Sequence, residues 1–121
     1  MDDTFESNEK LYRAVYPPEI RDMFWKSNGE LSSAAFYDEK GCSVDRGNYR
    51  TDDDVVHDMK RRFTGRIVSV TVGECEEVMA KIVYKPSRDI FHSEIHGSDT
   101  VKVLSKSQRR CIARKAKIVA L

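Results

Sequence analysis

Hydrophobic and polar residues alternate in several short stretches of the chain, as they do in strands that place one face in a core. Residues 11–16 (LYRAVY) alternate in this way and stop at a Pro-Pro pair, so they predict a first strand. Residues 66–72 (RIVSVTV) are rich in β-branched side chains and predict the clearest strand. Residues 81–84 and 90–96 predict two more, bounded by Pro86 and Gly97.

Another stretch has its hydrophobic residues at helical spacing. Thr51 is a good N-cap, and the three aspartates at 52–54 lie where the helix dipole favours negative charge. Val55 and Met59 then recur on one face, and basic residues follow at the other end. Residues 51–62 are therefore predicted to be a helix.

The end of the chain predicts a second, strongly basic helix. Ser105 and Gln108 have the spacing of a capping box. Cys111, Ile112 and Ala116 follow as a narrow apolar stripe, and the last residues, KIVAL, predict a short strand.

The remaining segments give weaker signals. Residues 31–37 (LSSAAFY) and 42–46 (CSVDR) are predicted to be short strands, residues 73–80 a short helix, and Trp25 a core anchor. The elements alternate without the regular rhythm of a doubly wound sheet. The sequence thus predicts a single α+β domain over residues 10–121, with a mainly antiparallel sheet and two to three helices, after a flexible N-terminus of nine residues.

The composition is that of a folded globular domain. Of 121 residues, 40% are hydrophobic and 34% charged, which excludes the disordered and membrane classes. No apolar run reaches the roughly 20 residues needed to cross a bilayer, and the acidic start differs from a signal peptide. We therefore expect a cytoplasmic protein without membrane contact, with Cys42, Cys75 and Cys111 as reduced thiols.

The net charge of +1 conceals a separation of charge along the chain. Acids predominate before residue 59, whereas the stretch from residue 102 onward contains seven bases and no acid. Such a split indicates a partner surface, a self-contact, or an internal match in which the basic helix covers an acidic face. We favour the partner surface, which predicts binding of a nucleic acid, a nucleotide or an acidic protein. The predicted binding residues are Lys106, Arg109, Arg110, Arg114 and Lys117.

Residues 89–99 (DIFHSEIHGSD) contain two of the three histidines. In a strand, His92, Glu94 and His96 share one face, whereas Phe91 and Ile95 point to the core. Same-face neighbours are about 6.6 Å apart, so the two histidines lie roughly 13 Å apart, too far for one metal ion. The segment therefore predicts a solvent-facing or partner-facing strand and no metal site.

A catalytic alternative uses four separate residues. Arg13 as anion holder, Ser33 as hydroxyl, Asp45 as orienting acid and His92 as acid/base would suit a small transferase or hydrolase if they met in the fold. Linear spacing does not decide whether they meet. The sequence contains no glycine-rich phosphate loop, nucleophile elbow or dinucleotide fingerprint, so we predict no cofactor.

The order LYRAVYP, SSAAF, SVD, a histidine and SKSQRRCIARKAKIV resembles a family of small bacterial proteins without an assigned activity. The similarity spans most of the chain except residues 73–85, and His96 has no counterpart in it. The resemblance implies that Arg13, Ser33, Phe36, Ser43 and His92 are the positions to test.

Overall fold

The alternating segments of the chain form one antiparallel sheet. In the computed structural model, which describes residues 1–121, neighbouring strands all run in opposite directions. The strands are β1 (Lys10–Val15), β2 (Cys42–Arg46), β3 (Arg66–Thr71), β4 (Lys81–Tyr84), β5 (His92–His96) and β6 (Lys117–Ala120). Their order across the sheet is β4-β5-β2-β1-β3-β6. The predicted α+β domain with a mainly antiparallel sheet is confirmed.

Three helices, α1 (Asp52–Arg62), α2 (Val72–Glu76) and α3 (Lys106–Lys115), accompany the sheet. Thr51 caps α1 as predicted, because its hydroxyl accepts the Asp54 amide at 3.2 Å. The predicted capping box of α3 is present, and its Gln108 also donates to the carbonyls of Val78 and Gly97. None of these helices has the length and apolar character needed to cross a bilayer.

The two faces of the sheet bury different cores. Along β1, Leu11 and Val15 join the larger core, whereas Tyr12 points to the smaller core beneath α1. α1 packs on that second face through Val55 and Met59.

The larger core is covered by α3 and by short helical segments of the chain before β2. Ile112 and Ala113 of α3 are buried there together with Ala35 and Phe36. Trp25 is also buried, as predicted, and its indole N–H donates to the Tyr16 carbonyl at 2.7 Å. α3 is thus anchored on its apolar side, which leaves its other sides to solvent.

The structure differs from three local predictions. Residues 31–37, predicted to be a strand, contain the 3₁₀ helix Ser33–Phe36, because small residues allow a tight turn to pack beneath α3. In α3 Ala113 is buried, whereas Cys111, expected in the apolar stripe, is only half-buried. Phe91 precedes β5 and lies under the Arg50 guanidinium, 3.4 Å from its ring centre, so it does not point to the core as strand alternation predicted.

The nine residues before β1 are expected from the sequence to be flexible. In the structure they contact the domain through Arg46. Its guanidinium binds both oxygens of Glu9, at 2.8 and 2.9 Å, and donates to the carbonyls of Asp2 and Thr4. Phe5 lies against the same group, 4.0 Å from it, and Arg46 is only 2% exposed. A buried arginine thus fastens the N-terminal segment to β2.

Candidate functional site

One side of α3 forms a wide basic groove with the loop before the 3₁₀ helix. Lys106, Arg110 and Arg114 are spaced four residues apart and so lie on one face of α3. Together with Lys26 and Lys117 they line a groove of about 900 Å³, in which Glu30 is the single carboxylate. We call this feature the basic groove.

The cations of the basic groove have no acidic partner within ion-pair distance. The ion pairs of the protein instead involve other basic residues, namely Lys10, Arg46, Arg50, Arg61, Arg62 and Lys81. Of the acids that predominate in the first half of the chain, only Glu9, Asp45, Asp52 and Asp58 form ion pairs, and none of their partners lies in α3. The basic helix therefore does not cover an acidic face of its own domain.

Ser33 lies on the wall of the basic groove, beside Ser32 and Leu31. The Ser32 hydroxyl is used internally, since it donates to the Met23 carbonyl at 2.6 Å. The basic groove therefore contains, besides the cations of α3, the Lys26 side chain and the Ser33 hydroxyl.

Arg109 points to a different side of α3 from the other predicted binding residues. Its guanidinium lies 4.9 Å from the ring centre of Tyr37, and its Nε–H donates to the Leu104 carbonyl. With Arg13 and Arg21 it lines a second cleft of about 590 Å³, whose other walls are mostly apolar. We call this feature the arginine cleft.

Arg13 lies at the point where β1 and β2 stop pairing. The register of β1 with β2 pairs Leu11 with Arg46 and Tyr12 with Asp45, and the pairing ends there. The Arg13 side chain fills the opening and donates to the carbonyls of Ala35 and Ser43, both at 2.7 Å. It thereby provides a donor for one carbonyl of β2 and one of the Ser33–Phe36 helix.

Asp45 lies on the opposite face of the sheet in a cluster of charges that the sequence did not reveal. Arg62, at the end of α1, contacts Asp45 and lies 2.9 Å from both Asp58 and Asp89. The three carboxylates approach within 4.8 Å of one another, a spacing also seen in metal sites. Here the Arg62 guanidinium provides the positive charge between them.

One nitrogen of Arg62 serves all three acids, which limits the hydrogen bonds it can make. Its two hydrogens are donated to Asp45 and Asp58, so Oδ2 of Asp89 is buried without a hydrogen bond. Burial raises the pKa of Asp45 above its ordinary value, and the neighbouring Asp89 adds to this while Arg62 opposes it. The carboxyl of Asp45 therefore contacts Arg62 in this cluster and does not orient the ring of His92.

His92 lies next to Asp45 in the register of β2 and β5, but its ring has other partners. Nδ1 lies 2.8 Å from the Lys85 carbonyl, which only accepts, so Nδ1 carries the hydrogen. In the neutral ring Nε2 is then an acceptor, and it faces the Ser43 hydroxyl at 3.4 Å. The histidine is oriented by a backbone carbonyl and not by a carboxylate.

The four residues of the catalytic alternative do not meet in one cleft. Ser33 lines the basic groove and Arg13 the arginine cleft, both on the α3 side of the sheet. Asp45 and His92 are neighbours on the α1 side. The hydroxyl that does meet His92 is that of Ser43, one of the positions implied by the family resemblance.

A third cleft, of about 490 Å³, lies between the N-terminal segment and the loop before α1. It is lined by four acids and two bases, and three of the acids are engaged within the protein. Glu9 binds Arg46, Glu6 accepts from Tyr49, and Asp52 accepts from Tyr12 and Lys10. The Tyr12 hydrogen bond is the largest influence that lowers the pKa of Asp52. The basic groove differs in that its charges have no such partners.

Four of the five groove cations were predicted from the sequence, whereas Lys26 was not. The run of bases after residue 101 is a plain signal, whereas Lys26 is an isolated base far away in the chain. Tyr37 and Arg21 of the arginine cleft were also missed, because nothing in linear order connects them to α3.

Family models, curated proteins and solved structures were compared with the chain, and none of them matches it.

Proposed function

We propose that the chain is a binding module that holds a phosphate-bearing ligand, a nucleic acid or a nucleotide, in the basic groove. The observation that carries this proposal is a groove of five cations and one carboxylate in which no cation has an acidic partner. A domain of net charge +1 does not need so dense a field for its solubility.

The groove fits a ligand that carries several phosphates along its length. Three of its cations follow one face of α3, each about 6 Å beyond the last, since each residue of a helix advances 1.5 Å. Unpaired lysine and arginine side chains bind phosphates through charge-assisted hydrogen bonds and release the counterions of a nucleic acid. Such binding weakens steeply as salt is added.

Reversing two groove charges is expected to abolish this binding. For Arg110→Glu with Arg114→Glu, we expect at least a hundredfold loss of affinity for a labelled oligonucleotide at low salt, measured by fluorescence anisotropy. In milder variants with alanine at both positions, the slope of log affinity against log salt should fall by about 2. No ion pair is lost, but Arg114 lies in the last turn of α3, where the helix dipole favours a base, so the free energy of unfolding should fall by about 1 kcal/mol.

The matched control is Lys85→Glu with Arg88→Glu, which changes the net charge equally at two exposed residues outside the groove. This control should retain most of the affinity. An acidic protein is the competing ligand, so polyglutamate is added as a competitor. The proposal fails if the parent binds no oligonucleotide at low salt, or if polyglutamate displaces the oligonucleotide at equal charge concentration.

A second candidate function is supported by the contact between His92 and Ser43. A histidine oriented through Nδ1, with its Nε2 facing a hydroxyl, is the arrangement that activates a serine nucleophile. Catalytic hydrogen bonds are often long before a substrate binds, so 3.4 Å does not exclude it. This candidate is a small hydrolase or transferase in which His92 is the acid/base and Ser43 replaces Ser33 as the hydroxyl. Arg13, on the other face, does not hold the anion.

A fluorophosphonate tests this candidate directly. Ser43 Oγ would attack phosphorus, its proton would pass to His92 Nε2, and fluoride would leave. We expect one adduct by intact mass, absent in Ser43→Ala and at least tenfold slower in His92→Ala, with Ser98→Ala as the control. A parent protein that stays unlabelled, or a Ser43→Ala variant labelled as fast as the parent, would exclude the serine nucleophile.

A further inference from the structure

We infer that the ligand of the basic groove is a single-stranded nucleic acid, whose phosphates lie in the groove while an unpaired base occupies the arginine cleft. This inference rests on the proposed function and names the class of ligand more narrowly.

The groove and the cleft lie on the two sides of the contact between α3 and the Ser33–Phe36 helix. The Ser33–Phe36 helix separates them: Ser33 lines the groove, and the next residue, Ala34, lines the cleft. On α3, Arg110 lines the groove and the preceding residue, Arg109, lines the cleft. A strand held in the groove can therefore reach the cleft by crossing the contact between these two elements.

The arginine cleft has the chemistry of a base-binding pocket. Tyr37 is 47% exposed and has the Arg109 guanidinium against its ring, so an aromatic and a planar cation are presented together. The exposed side chains of Tyr16 and Met23 provide further apolar surface. No carboxylate lines the cleft, and its 590 Å³ is within the range of about 300–1,000 Å³ typical of small-molecule sites.

This combination distinguishes a single strand from other polyanions. Proteins that bind single strands combine a basic groove for the backbone with aromatic side chains on which bases stack. A duplex keeps its base faces stacked inside the helix, and an acidic peptide brings charge without an aromatic plane. An unpaired base can stack on the Tyr37 ring and accept hydrogen bonds from an arginine of the cleft at the same time.

The experiment compares a labelled 12-nucleotide single strand with the duplex of the same sequence at one salt concentration. We expect the parent to bind the single strand at least tenfold more tightly. Tyr37→Ala should weaken single-strand binding by about 5- to 150-fold, which is the loss typical of one stacked base. It should leave duplex binding and the salt slope unchanged, since no phosphate contact is removed.

Two further variants separate stacking from other effects. Tyr37→Phe retains the ring and should bind the single strand like the parent. Tyr49→Ala removes a tyrosine that is 85% exposed and lines a different cleft, so it should have no effect.

The two proposals fail in different ways. Equal binding of single strand and duplex, or full single-strand affinity in Tyr37→Ala, overturns the base site, while salt-dependent binding lost in Arg110→Glu with Arg114→Glu still supports the basic groove. If the parent binds neither form, both proposals are overturned.

Discussion

Replacing Arg62 by methionine is expected to destabilise the protein by about 3 kcal/mol at neutral pH. The substitution keeps an apolar stem but removes the guanidinium that contacts all three of Asp45, Asp58 and Asp89. Asp45 is only 5% exposed, so its carboxylate would remain in the protein interior next to two others. The loss is smaller than for a fully buried cluster, because Asp58 and Asp89 are 26% and 22% exposed and water screens them in part.

The pH dependence of this loss has a definite sign. In the parent, burial already raises the pKa of Asp45. Ionisation of this carboxyl therefore lowers the free energy of unfolding as pH rises. Without Arg62 the pKa of Asp45 rises further, and Asp58 loses a hydrogen bond that helps to keep its pKa low. The deficit should therefore shrink as pH falls from 7 to about 4.5, because Asp45 takes up its proton more readily in the variant than in the parent.

Urea denaturation of the parent and Arg62→Met at both pH values measures this effect. Adding Asp45→Asn to Arg62→Met should recover part of the loss at pH 7, because it removes the most buried of the three charges. The control is Arg61→Met, which removes a 68% exposed partner of Asp58 and should cost less than about 1 kcal/mol. Equal losses for Arg61→Met and Arg62→Met would show that Arg62 is not the required counter-charge.

The elements of this fold follow from local signals wherever one face of an element is buried. The alternation in β3 and the caps of α1 and α3 predicted their type and nearly their bounds, because burial and capping act over a few neighbouring residues. The segment 31–37 was predicted wrongly because its small residues fit several backbone forms. The segment forms a 3₁₀ helix because it packs against α3, which comes from a distant part of the chain.

The residues of the candidate sites were likewise predictable only where a local pattern specifies them. The cations of α3 are adjacent in sequence, so their spacing on one helix face was predictable. The contact of His92 with Ser43 depends on the register of β2 with β5, which no local pattern specifies. The role of Arg62 depends on where α1 ends above the sheet, and a basic residue at a helix C-terminus is favoured by the dipole alone. Asp58 lies four residues before Arg62 on α1 and is a local partner, whereas Asp45 and Asp89 come from separate segments and are recognisable only in the fold.

The Arg46→Met substitution is expected to cost the most, about 3–5 kcal/mol. Arg46 is 2% exposed and the Glu9 side chain 10% exposed, so the substitution leaves a carboxylate nearly buried without its partner. The carbonyls of Asp2 and Thr4 lose their donor at the same time, and the N-terminal segment loses its attachment to β2. Thermal and urea denaturation would measure the loss, and hydrogen exchange should show faster exchange at residues 2–9 than elsewhere.

A double variant separates the buried charge from the lost packing. Replacing a buried ion pair by apolar residues of similar size is often nearly neutral, so Arg46→Met with Glu9→Met should recover more than half of the loss. Recovery is incomplete because Glu9 also accepts the Asn48 amide at 3.1 Å, and that amide lies in a residue with φ of 48°. If the double variant is no more stable than Arg46→Met, the unpaired Glu9 is not the cause, and the stabilisation comes from the contacts of Arg46 with the two carbonyls and with Phe5.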